Sequence, residues 1–446
     1  MDRRTFLKVG ATGAAAAGLS ACKLSPGESA SVAGPAPDAR VEMRSNPNSG
    51  DSVSLLGYGC MRWQMKTAAD GTEIVDQDSV NELVDYAIAH GVNYFDTSPV
   101  YLQGQSEQAT ANALLRHPRD KYFIATKMSN FGEISYDACV SMYRRSLEIF
   151  RTDRMDYYLL HALSGEDDFK HRFLDNGIID FLLEERRQGR IRNLGFSFHG
   201  HQEGFDYMMS LHDKYHWDFV QIQMNYVDWT HAAGRNTDAS YLYSELDRRG
   251  IPVVIMEPLL GGSLGRLPKP VLERLKEREP ARSAASWAFR FCGSFPRVLT
   301  ILSGMTYMEH LTDNVANLSD FKPLNEEEFA LLEEMAGKIK EFPLIGCTAC
   351  NYCMPCPFGI DIPGIFRHYN DAVNAGIIAE SREQKDYLRL KRRYLTTYDK
   401  AVESIRQADH CIACAQCVSH CPQHIRIPRE LARIDNYIEK LKQNTL

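Results

Sequence analysis

The chain has no excess of basic charge, no long hydrophobic run and few cysteines outside its last hundred residues; each shortage removes a class of function. Lys and Arg number 51 against 58 Asp and Glu, a net charge of −7, which argues against a nucleic-acid partner. The thirteen mostly small residues from Val9 to Ala21 are too few and too weakly apolar to span a bilayer. Only Cys22, Cys60, Cys139 and Cys292 lie outside the Cys347–Cys421 stretch, so no general disulfide framework is expected. No glycine-rich phosphate fingerprint follows the first strand-like run, which counts against a doubly wound dinucleotide sheet. No flavin motif is visible. What remains is an ordinary globular composition, 44% hydrophobic and 24% charged, able to bury a sizeable core. At 446 residues the chain exceeds one ordinary domain, though a barrel of about 250 residues with attachments also fits.

The first residues read MDRRTFLKVGATGAAAAGLSAC. The Arg3-Arg4 pair, followed by Phe6, Leu7, Lys8 and small residues, resembles a twin-arginine export signal. Leu19-Ser20-Ala21-Cys22 resembles the bacterial lipobox, whose cysteine becomes the acylated N-terminus. Without residues 1 to 21, which hold three basic and one acidic residue, the charge is 48 minus 57, or −9. The stretch 23–48, rich in Ser, Pro, Gly and Ala from Ser25 onward, reads as a flexible tether between a membrane and a domain.

Eight short runs rich in β-branched and aromatic residues follow: SLLGYGC from Ser54, VNYFDTS from Val92, YFIATKM from Tyr122 and MDYYLLHAL from Met155. They continue as RNLGFSFH from Arg192, FVQIQMNY from Phe219, PVVIMEPL from Pro252 and RVLTILSGM from Arg297. Helical patterns lie between them. The first, from Ser79, places Val80, Leu83, Val84, Ala87 and Ile88 on one face, with a Ser79/Glu82 capping box and a C-terminal Gly91. Strand and helix alternating eight times predict an α/β (β/α)8 TIM barrel over 49–320. In such barrels chemistry sits at the C-terminal strand ends.

At those ends stand Asp96 and Tyr101 after the second run, Lys127 after the third and His161 after the fourth. A tyrosine is a weak proton donor at neutral pH, and a nearby ammonium stabilises its phenolate. The expected arrangement runs from Asp96 through Lys127 to Tyr101, with His161 hydrogen-bonding a carbonyl oxygen. These segments, FDTSPVYLQGQSE, IATK and YYLLHAL, resemble the aldo/keto reductase family, whose Asp, Tyr, Lys and His tetrad falls at these strand ends. The resemblance covers roughly 52–318 and includes Gly195-Phe196-Ser197 and Asn314.

The resemblance also implies a nicotinamide site at Ser197, Gln221, Leu259, Gly261 and Asn314. Phe198 stands where the family has Asn, and Met256-Glu257-Pro258-Leu259 replaces the usual Tyr-Ser-Pro-Leu. A stacking ring is lost and Glu257 brings an anion towards the pyrophosphate. Gly304 and His310 stand in the stretch where NADP users carry Lys and Arg, so an NADP preference is not supported. NAD, an unusually bound nicotinamide, or a barrel independent of one all stay open. His199 and His201 read as solvated loop histidines. Arg62 and Trp63 fit a substrate wall as well as surface charge and core packing, and Cys60, Cys139 and Cys292 read as buried thiols.

Beyond a linker helix at 321–346, the final segment 347–446 carries CTACNYCMPCP from Cys347 and CIACAQCVSHCP from Cys411. Thiolates at every third residue let one loop wrap a cube, while the fourth ligand serves the other cube. Cys347, Cys350, Cys353 and Cys421 are therefore expected to hold one 4Fe-4S cluster, and Cys411, Cys414, Cys417 and Cys356 the second. Zinc favours separated pairs. This end resembles two-cluster ferredoxin domains, with Ile360-Asp361-Ile362-Pro363 echoed by Ile425-Arg426-Ile427-Pro428. The 54 residues between Cys356 and Cys411 exceed the compact ferredoxin spacer; they read as mainly helical, with Arg389, Lys391, Arg392 and Arg393 on a solvated face.

Together these features predict an exported, lipid-anchored oxidoreductase acting on a carbonyl or alcohol, such as a sugar, and exchanging electrons with a redox partner protein or membrane carrier. The alternative is an electron-transfer subunit whose barrel is a binding scaffold. A hydride carries two electrons whereas a cluster passes one, and the residues joining the two halves are not legible.

Overall fold

The computed structural model describes residue 36 and residues 38–446 apart from Arg235; the twin-arginine and lipobox segments lie outside the described residues. Eight parallel strands close into a barrel in sequential order: β1 (Leu56–Gly59), β2 (Tyr94–Asp96), β3 (Phe123–Met128), β4 (Met155–Leu163), β5 (Ile191–Phe198), β6 (Phe219–Gln223), β7 (Val253–Met256) and β8 (Val298–Ser303). Seven of the eight predicted runs contain their strand, and β5 begins one residue before its run, at Ile191. The principal helices outside the barrel are α1 (Gln77–Ala89), α2 (Ser106–Leu114), α3 (Tyr136–Phe150), α4 (Ile178–Arg187), α5 (Gln202–Ser210), α6 (Ala239–Arg248), α7 (Ala284–Gly293) and α8 (Met308–Ser319). Strands buried on both faces explain the near-continuous apolar runs: Tyr94, Ala125, Tyr157, Leu159, Phe219 and Val254 fill the barrel interior, while alternate residues meet the helices.

Helix α1 buries Val80, Leu83, Val84 and Ala87 as its periodicity requires. It begins at Gln77, two residues before the expected cap, and the Ser79 hydroxyl faces Gln64 instead. No capping box forms because Ser79 lies inside the helix. Gly91 does end it, in left-handed backbone at φ +87°. Residues 43–45, read as tether, pair with Ser52–Ser54 in a short hairpin. Its turn buries Asn46 against Tyr157 and Asn193.

Helix α9 (Glu326–Glu341) begins with a capping box between Asn325 and Glu328 and leads into the C-terminal region. There α10 (Ile362–Asn374), α11 (Tyr387–Ala401) and α12 (Ile427–Gln443) enclose a second core of Ile365, Phe366, Tyr394, Tyr398, Leu431 and Ile434. Both α10 and α12 start with an Ile-Pro step directly after a Cys-Pro segment, proline being favoured in a first turn. Among the described residues no helix is long and apolar enough to cross a membrane.

Candidate active site and cluster sites

The C-terminal ends of β2, β3 and β4 bring Asp96, Lys127 and His161 together, and the loop after β2 adds Tyr101. Lys127 is fully buried; its Nζ lies 2.6 Å from Asp96 Oδ1 and donates to the Thr97 carbonyl at 2.8 Å. It stands 5.0 Å from the centre of the Tyr101 ring. Burial pushes the Asp96 carboxyl up and the Lys127 ammonium down, and their mutual attraction opposes both shifts. The His161 ring meets Tyr101 edge-on at 5.7 Å. A break in the β4 register between Leu160 and Leu163, with Ala162 in left-handed backbone, sets the position of His161.

Burial holds the Tyr101 hydroxyl well above the ordinary tyrosine value, so the expected stabilisation of a phenolate by Lys127 is not what this environment produces. Desolvation outweighs the ammonium because Asp96 already pairs with it. Tyr101 is thus held as the neutral phenol. Burial also keeps His161 well below its usual value, with Lys127 and Arg172 adding to the effect, so the imidazole is neutral. Its Nδ1 lies 2.6 Å from the Ser129 hydroxyl. With Ser129 donating there, the remaining ring proton sits on Nε2.

Ser197 and Gln221 are partners on adjacent strands β5 and β6. The Ser197 hydroxyl already accepts from the Ala162 amide at 2.7 Å, whereas Gln221 Oε1 is buried without a partner. Asn314 is buried on α8 and donates to Ser303 at 3.0 Å. Leu259 and Gly261 lie in the loop after β7. Half-buried Glu257 turns back on this loop to accept from the Gly261 amide, and desolvation raises its carboxyl against the pull of Arg62.

The first cysteine loop sits on this barrel mouth. A Cβ at Gly261 would collide with the Thr348 backbone, Arg62 donates to the Thr348 carbonyl, and the Tyr352 hydroxyl reaches that of Tyr101. The second cysteine segment docks beside it. Gln423 Nε2 donates to Gln223 Oε1 at 3.0 Å, and Gln223 in turn donates to Asp228 at 2.7 Å. A cleft of about 1330 Å³, counted to its open mouth, runs along Leu260, Leu264, Phe342 and Cys347. Gln221 suits the amide of a nicotinamide, but the Gly261 side is filled by Thr348, so a dinucleotide lying along that loop does not fit while the cysteine loop is docked. Gly261→Ala, which adds a Cβ at φ +69°, is expected to cost about 2–4 kcal/mol. The measurement is faster amide hydrogen exchange in 346–353 with α3 unchanged.

His199 departs from the solvated reading. It is half-buried near Asn236 and His424, with Nδ1 enclosed, and desolvation lowers its pKa to about 4; His201 is exposed. The docked C-terminal segment covers the loop after β5, which strand patterning cannot reveal. Trp63 is core, donating to Thr110 at 3.0 Å. Cys60, Cys139 and Cys292 are buried free thiols.

Cys347, Cys350, Cys353 and Cys421 line one cavity, walled by Ile362, Phe366, Ile425 and Ile427. The thiols of Cys347, Cys350 and Cys353 are each held high by burial and by others of this set, Cys350 and Cys353 to about 12. Cys417 likewise feels Cys411, Cys414 and Cys356. The fold thus gathers Cys347, Cys350, Cys353 and Cys421 around one cavity and sets Cys417 within electrostatic reach of Cys411, Cys414 and Cys356. Ala349 and Asn351 in the first run, and Ala413 and Ala415 in the second, have φ of 49°, 66°, 57° and 60°. Left-handed backbone at the third and fifth positions of both loops costs non-glycine residues about 1–2 kcal/mol each and curls each run around a body at its centre. No described cysteine is in a disulfide. These residues fit a pair of cubane clusters.

A parallel eight-stranded barrel with this tetrad, joined to two four-cysteine sets, defines an oxidoreductase with two 4Fe-4S clusters. The chain belongs to the aldo/keto reductase family: the model of the "Aldo/keto reductase family" matches residues 55–336, and that of the "4Fe-4S dicluster domain" matches residues 346–425. It is 25% identical over 320 residues to L-galactose dehydrogenase of Arabidopsis thaliana, covering 66% of this chain and 93% of that one. It is 34% identical over 170 residues to D-arabinose 1-dehydrogenase of Saccharomyces cerevisiae, covering 35% of this chain and 46% of that one. Its fold is shared with aldo-keto reductase AKR11C1 from Bacillus halodurans (TM-score 0.53, 24% identity, 66% and 96% coverage). An aldo-keto reductase from Klebsiella pneumoniae, solved with NADPH, gives a TM-score of 0.53 at 20% identity, with 67% and 95% coverage.

Sequence reasoning did not find Tyr352, Thr348, Gln423 or Ser129. Only Tyr352 left a signal, a lone aromatic between two cluster cysteines, and nothing in the sequence tells which surface it faces.

Proposed function

We propose that the protein is an exported, membrane-tethered oxidoreductase that interconverts an alcohol and a carbonyl, sugars included, and passes electrons through its clusters to a redox partner protein or membrane carrier. The observation that carries this reading is the docking of the first cysteine loop on the barrel mouth at Tyr101, Arg62 and Gly261. Reduction of a carbonyl to an alcohol takes two electrons and two protons: Tyr101, kept neutral by burial, gives one proton to the oxygen, and the second, which goes to carbon with the electrons, comes from solvent; oxidation runs the same balance in reverse and releases both protons. His161, neutral and braced by Ser129, donates from Nε2 to the same oxygen and orients it. Lys127, fixed by Asp96 and Thr97, supplies positive potential beside the phenol. The clusters, when bound, supply one-electron chemistry, and two of them match in number the two electrons that separate an alcohol from a carbonyl.

The second cysteine run lies on the outside, with Cys414 exposed and Ile412 and Ile405 at 62% and 72% exposure, which suits an outlet to a partner. The dehydrogenase names of the two curated relatives, both of sugars, support a sugar substrate. The twin arginine, the lipobox at Cys22 and the tether support export and lipid anchoring. With aldehydes and aldoses as substrates and artificial donors excluded, Cys414→Ala is expected to stop turnover while the barrel stays folded. Full turnover in that variant would remove the clusters from catalysis.

The alternative, an electron carrier with a scaffold barrel, gains support from the closed state of the site, since Tyr101 is only 8% exposed. An absence of both carbonyl binding and alcohol oxidation in the holoprotein, with clusters fully reducible, would select it.

A further inference from the structure

The tetrad lies under a roof. Lys127, Asp96, His161, Ser197 and Gln221 are each at most 4% exposed, and the Tyr352 phenol stands within interaction distance of the Tyr101 hydroxyl. The loop carrying Tyr352 is pinned on both sides: Arg62 holds the Thr348 carbonyl, and Thr348 packs on Gly261, a position with no room for a Cβ. Asn351, immediately before Tyr352, is in left-handed backbone at φ 66°, and Cys350 and Cys353 flank the tyrosine in the loop. The second segment fixes the same face through Gln423 and Gln223.

We propose that Tyr352 is a specificity-determining residue of the barrel site: its phenol stands where a substrate oxygen must stand, and a ligand reaches Tyr101 only by displacing it. This rests on the reading that Tyr101 faces the substrate oxygen. Two consequences follow from the geometry. The space released is the size of a six-membered ring bearing a hydroxyl, so the site favours cyclic hydroxylated ligands over extended ones. The displaced residue sits between two cluster cysteines, so ligand entry is felt at the first cluster through the loop they share.

The test uses holoprotein and p-cresol, the side chain of tyrosine as a free molecule, and needs neither turnover nor electron transfer. Its failure is therefore separable from failure of the proposed reaction. By calorimetry the parent is expected to show no binding, because its own phenol fills the place. Tyr352→Ala, with iron and sulfide unchanged, is expected to bind p-cresol in the cavity left behind. The Tyr352→Ala/Tyr101→Phe protein is expected to bind it about five- to tenfold more weakly, the worth of one hydrogen bond. No binding in Tyr352→Ala, or equal affinity with and without the Tyr101 hydroxyl, overturns the proposal. Should Tyr352→Ala lose iron, Tyr352→Phe decides: amide exchange in residues 96–106 must rise several-fold, and unchanged exchange overturns it equally.

Discussion

Replacing Tyr101 by Phe is expected to lower turnover of carbonyl substrates by about 10²–10⁴-fold, the range that a positioned general acid contributes, while iron and sulfide content stay at the parental level. The ring remains, so its edge-on contact with His161 and its place over Lys127 are kept; only the proton donor is lost. The sign of the pH dependence follows from the same burial. Tyr101 is held well above its ordinary value, so it carries its proton throughout the neutral and mildly alkaline range. Carbonyl reduction by the parent should not lose its acid as pH rises to about 9. A steep fall between pH 7 and 8 would assign proton delivery to another group.

The second large effect concerns the ion pair beneath it. Asp96→Ala leaves the fully buried Lys127 ammonium with the Thr97 carbonyl but without its carboxylate. Removing one partner of a buried pair costs about 3–5 kcal/mol, and the barrel transition in denaturant should move accordingly. Removing both partners in Asp96→Ala/Lys127→Met should recover most of that stability, because no uncompensated charge remains. Activity should not return, since the positive potential beside Tyr101 is gone. A double variant as unstable as the single one would mean that cavity formation, and not the stranded charge, dominates the cost.

The barrel was legible because its strands are buried on both faces and so are written as apolar runs at a regular spacing, MDYYLLHAL matching β4 residue for residue. The tetrad was legible because a strand end is a fixed address in such a barrel. The cysteine grouping was legible because the reach of a short loop limits which thiols can share a cube. What stayed hidden was long-range docking. Nothing in CTACNYC tells that Tyr352 meets Tyr101 across 251 positions of sequence, or that His199 lies under the segment around His424. Nor could strand-end reasoning assign the protonation of Tyr101, which depends on how completely other elements desolvate it. The Ser79/Glu82 cap failed for a local reason: two polar residues before it could also begin the helix, and packing against Gln64 moved the start to Gln77.

The first cysteine loop docks against Tyr101 and the second lies at the surface, and on the proposed function the clusters are the route by which electrons enter or leave the barrel. The most direct measurement is low-temperature paramagnetic resonance of anaerobic, oxidised holoprotein mixed with a panel of aldoses and cyclic alcohols, without nicotinamide or any added acceptor. A substrate that is oxidised is expected to reduce the clusters, up to two electrons per chain, and Tyr101→Phe to slow the signal's appearance at least a hundredfold. Oxidation of that substrate with the clusters still fully oxidised would contradict that route.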